Sequence, residues 1–203
     1  MSDMTTELMP AADLLPGFSD PGADARGVFR AMLEAISYPG RVVPLPMALA
    51  APEPLNATVA AVLLAMADLD TPVWLAPEYA TASVRQYLAF HCGCPLVETR
   101  GHAAFAVVTP EDDLSGLGIG TAENPEKSAM VIVPVPWLGR GSELQLTGPG
   151  IQDETDISVP ALSAALLDGF ARNGATFPQG LDLVLAAPER LICLPRTTTV
   201  RRA

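Results

Sequence analysis

Phe177-Pro-Gln-Gly-Leu-Asp-Leu-Val-Leu-Ala-Ala-Pro-Glu-Arg-Leu-Ile-Cys-Leu-Pro-Arg-Thr-Thr-Thr199 is the stretch whose reading decides the fold. Pro178 and Gly180 make a turn ahead of the apolar run Leu181–Leu185. An Ala-Pro-Glu break then reverses the chain, and a second apolar run, Leu191–Leu194, stops at Pro195-Arg196. Apolar runs of this length between turn residues predict a two-stranded unit. Asp182 stands inside the first run. A carboxylate buried there requires a charged or donor partner, structural (an arginine) or catalytic. Arg196-Thr197-Thr198 follows the second run, where a guanidinium and hydroxyls suit either an oxyanion or the carbonyls and surfaces of a partner subunit.

Outward from this unit, helices and strands alternate. Residues 1–20, with Pro10, Pro16 and Gly17, read as a loose N-terminal arm, and residues 21–203 as one domain. Asp20-Pro21 has the form of a helix start. From Asp24 to Ser37 the residues Val28, Phe29, Met32, Leu33 and Ile36 form an apolar stripe, with Arg26, Arg30 and Glu34 on a more polar face. Pro39-Gly40 ends this helix before a short strand, Arg41–Leu45. Asn56 caps a second helix, Ala57–Ala67, apolar nearly all round and therefore buried on several sides. Val73–Leu75, Ala103–Val108, Ala129–Val135 and Glu143–Leu146 predict strands, and Ala80–His91 a third helix. Ser158 is expected to cap a last helix carrying Leu162, Leu166, Leu167 and Phe170, ended by Gly174. This alternation predicts an α/β fold with antiparallel pairing near the C-terminus.

Composition narrows the function. The chain of 203 residues has 23 acidic against 12 basic side chains, a formal net charge of −11. Nucleic-acid binding requires a basic surface and is not expected. No apolar segment reaches the ~18 residues of a membrane span, and the first residues lack a secretory pattern. Three cysteines do not make a disulfide framework, so a cytoplasmic location is expected. Lys127 is the only lysine beside 11 arginines, so a single amine is available for Schiff-base chemistry.

Several constellations invite a chemical reading. His91-Cys92-Gly93-Cys94 has the residue types of a zinc site, but a second ligand pair is lacking unless His102 and Cys193 complete it. Thiols at a helix end acting as small buried groups explain the motif without a metal. Gly116-Leu-Gly-Ile-Gly120-Thr121 offers backbone N–H groups to an anion, yet lacks the Gly-Lys-Ser/Thr ending and following helix of a phosphate loop. It reads as a turn into the next strand; were a phosphate held there, Thr121 and nearby arginines would hold it. Asp68 and Asp70 suit a metal or acid/base pair, but before Thr71-Pro72 they read as turn residues. Two histidines are few for acid/base chemistry. Trp74 fits a core, and Trp137, between Pro136 and Leu138-Gly139, a surface anchor for a partner.

Six blocks in sequence carry a resemblance: the stretch quoted above, Phe29–Gly40 (FRAMLEAISYPG), Ala67–Leu75 (ADLDTPVWL), Leu88–His91 with Pro95–Val97, Gly120–Glu126 (GTAENPE) and Leu146–Ile151 (LTGPGI). Over roughly residues 26–200 the chain resembles the PhnH family, subunits of the bacterial carbon–phosphorus lyase system. The resemblance implies a central, mostly mixed sheet flanked by helices, like the large domain of pyridoxal-phosphate-dependent transferases but without the cofactor. It implies no catalytic residue, no metal, a homodimer, and other carbon–phosphorus lyase subunits as partners. The implied role is non-catalytic support of a complex that makes a ribose alkylphosphonate triphosphate from ATP and a phosphonate. Two other classes stay open: a stand-alone transferase or hydrolase, and a protein that binds a nucleotide or phosphonate. Gly120, Thr121, Asp182, Arg196, Thr197 and Trp137 are the candidate ligand or partner contacts.

Overall fold

The computed structural model describes residues 14–160 and 162–202, without the side chains of residues 140–142. Helix α1, Pro21–Ser37, starts where Asp20 Oδ1 accepts from the amide of Ala23 at 3.0 Å, satisfying one of the free N–H groups of its first turn. It buries Val28, Ala31, Met32 and Ala35. The expected stripe is thus rotated: Phe29 and Leu33 face outward, because the alanines let α1 lie close on its neighbours. The arm expected over 1–20 falls partly outside the described residues. Within them, Leu14 and Phe18 pack against the core, and the phenol of Tyr87 donates to Pro16 O at 3.4 Å.

Helix α2, Ala57–Met66, is apolar on every side because it is enclosed. Asn56 does two things at its start. Its Oδ1 accepts from the Val59 amide at 3.0 Å, and its Nδ2 donates to Ala186 O at 2.8 Å. Helix α3, Ala82–His91, is capped by Thr81 and buries Val84, Tyr87 and Leu88.

These helices cover one face of a six-stranded mixed sheet. Strands β2 (Val73–Leu75), β3 (Phe105–Val107), β4 (Met130–Pro134) and β7 (Asp182–Ala187) run parallel. β8 (Arg190–Leu194) pairs antiparallel with β7, and β1 (Val43–Pro44) with β8. The order is β1-β8-β7-β4-β3-β2. The predicted two-stranded unit is therefore the β7–β8 hairpin near the middle of the sheet. Alternate residues divide between the faces. Val73, Phe105, Ile132 and Val184 join α1, α2 and α3 in one core; Ala106, Val131, Val133 and Leu183 join a second core.

That second core lies under a three-stranded sheet, β6 (Thr155–Ser158), β5 (Gly139–Thr147) and β9 (Thr199–Arg202), and under helix α4, Ala164–Ala171. The sequence did not announce β6. Ser158 closes this strand instead of capping a helix; Ser163 is the cap, its Oγ accepting from the Leu166 amide at 2.9 Å. A short helix α5, Asn173–Thr176, follows. The parallel strands advance across the sheet in one direction. Helix α3 packs on one face, after which Leu96 bridges Val73 on the outer side of β2 and residues 97–104 lead to β3, while the links from β3 to β4 and from β4 to β7 pack on the other face.

Candidate functional site

Five of the six candidate residues gather at one place, the end of the sheet where the parallel strands begin. Asp182 is the first residue of β7 and lies opposite Met130, the first of β4. Arg196 arrives from the antiparallel partner β8, after Pro195. Its backbone amide donates to Asp182 Oδ1 at 2.8 Å, its Nε to the same oxygen at 3.2 Å, and its Nη2 to Oδ2 at 2.5 Å. Nη1 donates to Pro125 O at 2.8 Å and to Pro178 O at 3.3 Å, and Nη2 also to Ser128 Oγ. A guanidinium has five N–H bonds in a fixed fork, and all five are engaged. The carboxylate that the sequence left without a partner is thus held bidentately by an arginine, a strong and directional pairing.

The Gly-rich loop closes on the same group. Gln179 Nε2 donates to Gly120 O at 2.9 Å and the Gly180 amide to Ile119 O at 3.0 Å. Gly120 has φ +77°, and a Cβ there would lie 2.8 Å from Pro125 O, so the close approach requires glycine. Thr121 Oγ1 accepts from the Asn124 amide at 3.0 Å. The Thr121 amide donates to Asn124 O at 3.2 Å within the turn itself, and only the single 3-10 turn Pro125–Lys127 follows. Asn173, which no sequence pattern marks, fastens the far side: its Nδ2 donates to Leu181 O and its Oδ1 accepts from Leu181 N, each at 2.9 Å.

A second joint forms between two other sequence blocks. The Pro39-Gly40 turn after α1 meets the Gly148-Pro149-Gly150 turn after β5. A Cβ on Gly150, at φ +86°, would lie 2.6 Å from Ser37 O, and one on Gly40 2.8 Å from Leu146 and Thr155 side chains. Motif residues far apart in sequence thus interlock as backbone joints.

Comparison with known proteins places this pattern. The family described as "PhnH: Bacterial phosphonate metabolism protein (PhnH)" matches residues 16–201. This chain belongs to the PhnH family. It is 38% identical over 188 residues to the "Alpha-D-ribose 1-methylphosphonate 5-triphosphate synthase subunit PhnH" of Rhizobium meliloti (strain 1021), covering 91% of this chain and 94% of that protein. It is 33% identical over 174 residues to the "Putative C-P lyase subunit protein HtxG" of Stutzerimonas stutzeri, covering 85% and 83% respectively.

Thr197 completes the Arg196 end of this PhnH-family chain, and the remaining features lie apart from it. Thr197 is exposed beside it and lines a cavity of about 280 Å³ with Pro149, Asn173, Phe177 and Thr198. The Thr198 hydroxyl is buried and has no hydrogen-bond partner among the described residues. Trp137, 45% exposed, follows β4 at the opposite, carboxyl end of the parallel strands. Cys92 ends α3, where its thiol meets that of the buried Cys94. The hydrogen bond between them, followed by burial, pushes Cys92 up, while the same bond lowers Cys94. His91 contacts Leu15 O at 3.0 Å through Nε2, and Cys193 lies buried in β8. Among the described residues no three His, Cys, Asp or Glu side chains form a metal-binding group. Asp68 closes its turn, accepting from the Thr71 hydroxyl and the Asp70 amide, which hold its carboxyl below the usual range. Trp74 is half-buried with the Arg100 guanidinium 4.7 Å above its ring, and Arg100 reaches Asp113 O at 3.0 Å. No short motif marks that last group, whose members come from three separate segments.

Proposed function

We propose that this chain is a non-catalytic structural subunit of the carbon–phosphorus lyase core complex, supporting the formation of an α-D-ribose 1-alkylphosphonate 5-triphosphate from ATP and a phosphonate. Similarity along nearly the full length of a relative named as a subunit of that synthase supports the reading. The observation that carries it is the state of Arg196, whose five N–H groups are all committed to the chain's own acceptors. A residue group that looked like an oxyanion site is spent on holding β7, β8 and two loops together. It also lies away from the carboxyl ends of the parallel strands, where α/β folds place ligands. Gly120, Thr121, Asp182 and Arg196 are on this reading structural supports of a contact surface, with Thr197 and Trp137 as partner contacts.

The same reading takes residues 21–203 as one domain, arranged like the large domain of pyridoxal-phosphate-dependent transferases, forming a homodimer and working in the cytoplasm. No described helix is long and apolar enough to cross a membrane. Pyridoxal phosphate does not fit: Lys127 stands exposed on a 3-10 turn, not in an enclosed pocket where an amine is activated. Phosphorus NMR of ATP and methylphosphonate tests the function, with the purified chain alone and with the other carbon–phosphorus lyase subunits. Product is expected only from the combined set. Turnover by the chain alone refutes the reading, and calorimetric binding of ATP without turnover supports a small-molecule binding protein instead.

A further inference from the structure

We infer that the outward face of α1 is the docking surface for a partner helix carrying an apolar stripe flanked by carboxylates; the inference rests on the subunit role proposed above. Phe29 and Leu33 belong to the apolar stripe of α1 by sequence, yet they are 46% and 49% exposed. Tyr38, just past the helix, is 48% exposed. At positions i, i+3, i+4 and i+7, Arg26, Phe29, Arg30 and Leu33 form one ridge along the helix, all of them exposed. Ridges of this kind seat in the groove of a second helix.

Charge selects the partner. The chain as a whole carries −11, but this face is edged by guanidinium groups. Arg26 and Arg30 take no part in the ion pairs of the described residues, and Arg41 stacks 3.9 Å above the Tyr38 ring while pairing with Glu34 at 3.1 Å. The pairing sets a guanidinium against Glu34, the carboxylate that follows the ridge on α1. Aromatic and arginine side chains together are the composition of interface centres. A second copy is a poor occupant, because a two-fold axis through the Phe29–Leu33 patch sets Arg30 of both copies against each other. An acidic amphipathic helix answers both the apolar ridge and its basic edges.

The test is co-expression of the affinity-tagged full chain with the other carbon–phosphorus lyase subunits, followed by quantifying those that co-elute. Phe29→Asp with Leu33→Asp, and separately Arg26→Glu with Arg30→Glu, are expected to lower co-elution at least ~10-fold. Arg26→Lys with Arg30→Lys is expected to retain it. All four positions are exposed, so unchanged melting temperatures separate a lost contact from a lost fold. Parent and variants co-eluting alike would overturn the assignment of this face while leaving the subunit role intact. No co-elution even by the parent chain removes the subunit role and the inference together. Light scattering that finds self-association lost in the variants assigns the face to a second copy and overturns the choice of partner.

Discussion

Replacing Arg196 with alanine isolates the element on which the structural reading depends. The arginine side chain is 15% exposed and the Asp182 carboxylate 27%, so water solvates the pair only in part. Alanine removes the five side-chain N–H donors, which serve Asp182, Pro125, Pro178 and Ser128. Breaking a fully buried pair costs about 3–5 kcal/mol, and a single hydrogen bond to a charged group contributes about 1.5–3 kcal/mol. Water reaching the orphaned carboxylate lowers the cost, so about 3 kcal/mol is expected. For a chain of this size that is roughly 6–12 °C in melting temperature. Arg196→Lys is expected to recover little, since an ammonium cannot span acceptors arranged around a planar fork. The assay is thermal or urea unfolding of the parent, the two variants and Asp182→Asn. An Arg196→Ala protein within about 0.5 kcal/mol of the parent, a value ordinary for a surface change, would refute the reasoning. So would full stability combined with lost ligand binding, which would make Arg196 a contact and not a clasp.

Gly150→Ala places a methyl 2.6 Å from Ser37 O at φ +86°, and is expected to cost at least ~2 kcal/mol in urea unfolding; parental stability there would mean the two turns do not interlock. Asn56→Ala loses both the cap of α2 and the bond to Ala186 O, with an expected loss of about 2 kcal/mol by the same measurement. Burial pushes the Tyr87 phenol up to about 12 from its ordinary 10. A raised pKa gives stability that is complete below pH 10 and is lost as pH climbs toward 12. Tyr87→Phe is expected to be less sensitive than the parent over that window, read as the difference in melting temperature between pH 9.5 and 11.5.

Much of the fold could be read from local signals. Asp20 and Asn56 mark helix starts because a side-chain oxygen must meet a free N–H within three residues, a requirement the sequence carries openly. The apolar runs at Ala103, Ala129, Leu181 and Leu191 are interior strands of the sheet, where burial on both faces leaves no polar alternation to confuse the reading, and the run at Val73 is its edge. Where the reading failed, the deciding contact was remote. Thr155–Ser158 and Thr199–Arg202 are short and polar, and they are strands only because β5 lies between them. Ser158 and Ser163 both precede apolar residues, so capping chemistry alone could not choose between them. Phe29 and Leu33 share one apolar stripe with Val28 and Met32 by periodicity, which cannot tell its buried side from its exposed one. For the candidate site, Asp182's need for a charged or donor partner is legible, but that an arginine answers it, and which of 11, depends on the β7–β8 register.

The order β1-β8-β7-β4-β3-β2 has a mechanical consequence. If the chain is divided in the loop after β3, the first portion owns β1 at one border and β2 with β3 at the other, while the second owns the three middle strands. The first portion therefore grips the second from both sides, like fingers around a palm. A nick in residues 109–128 would sever covalent continuity yet leave the three middle strands with both of their outer neighbours, β1 and β3, on the other piece.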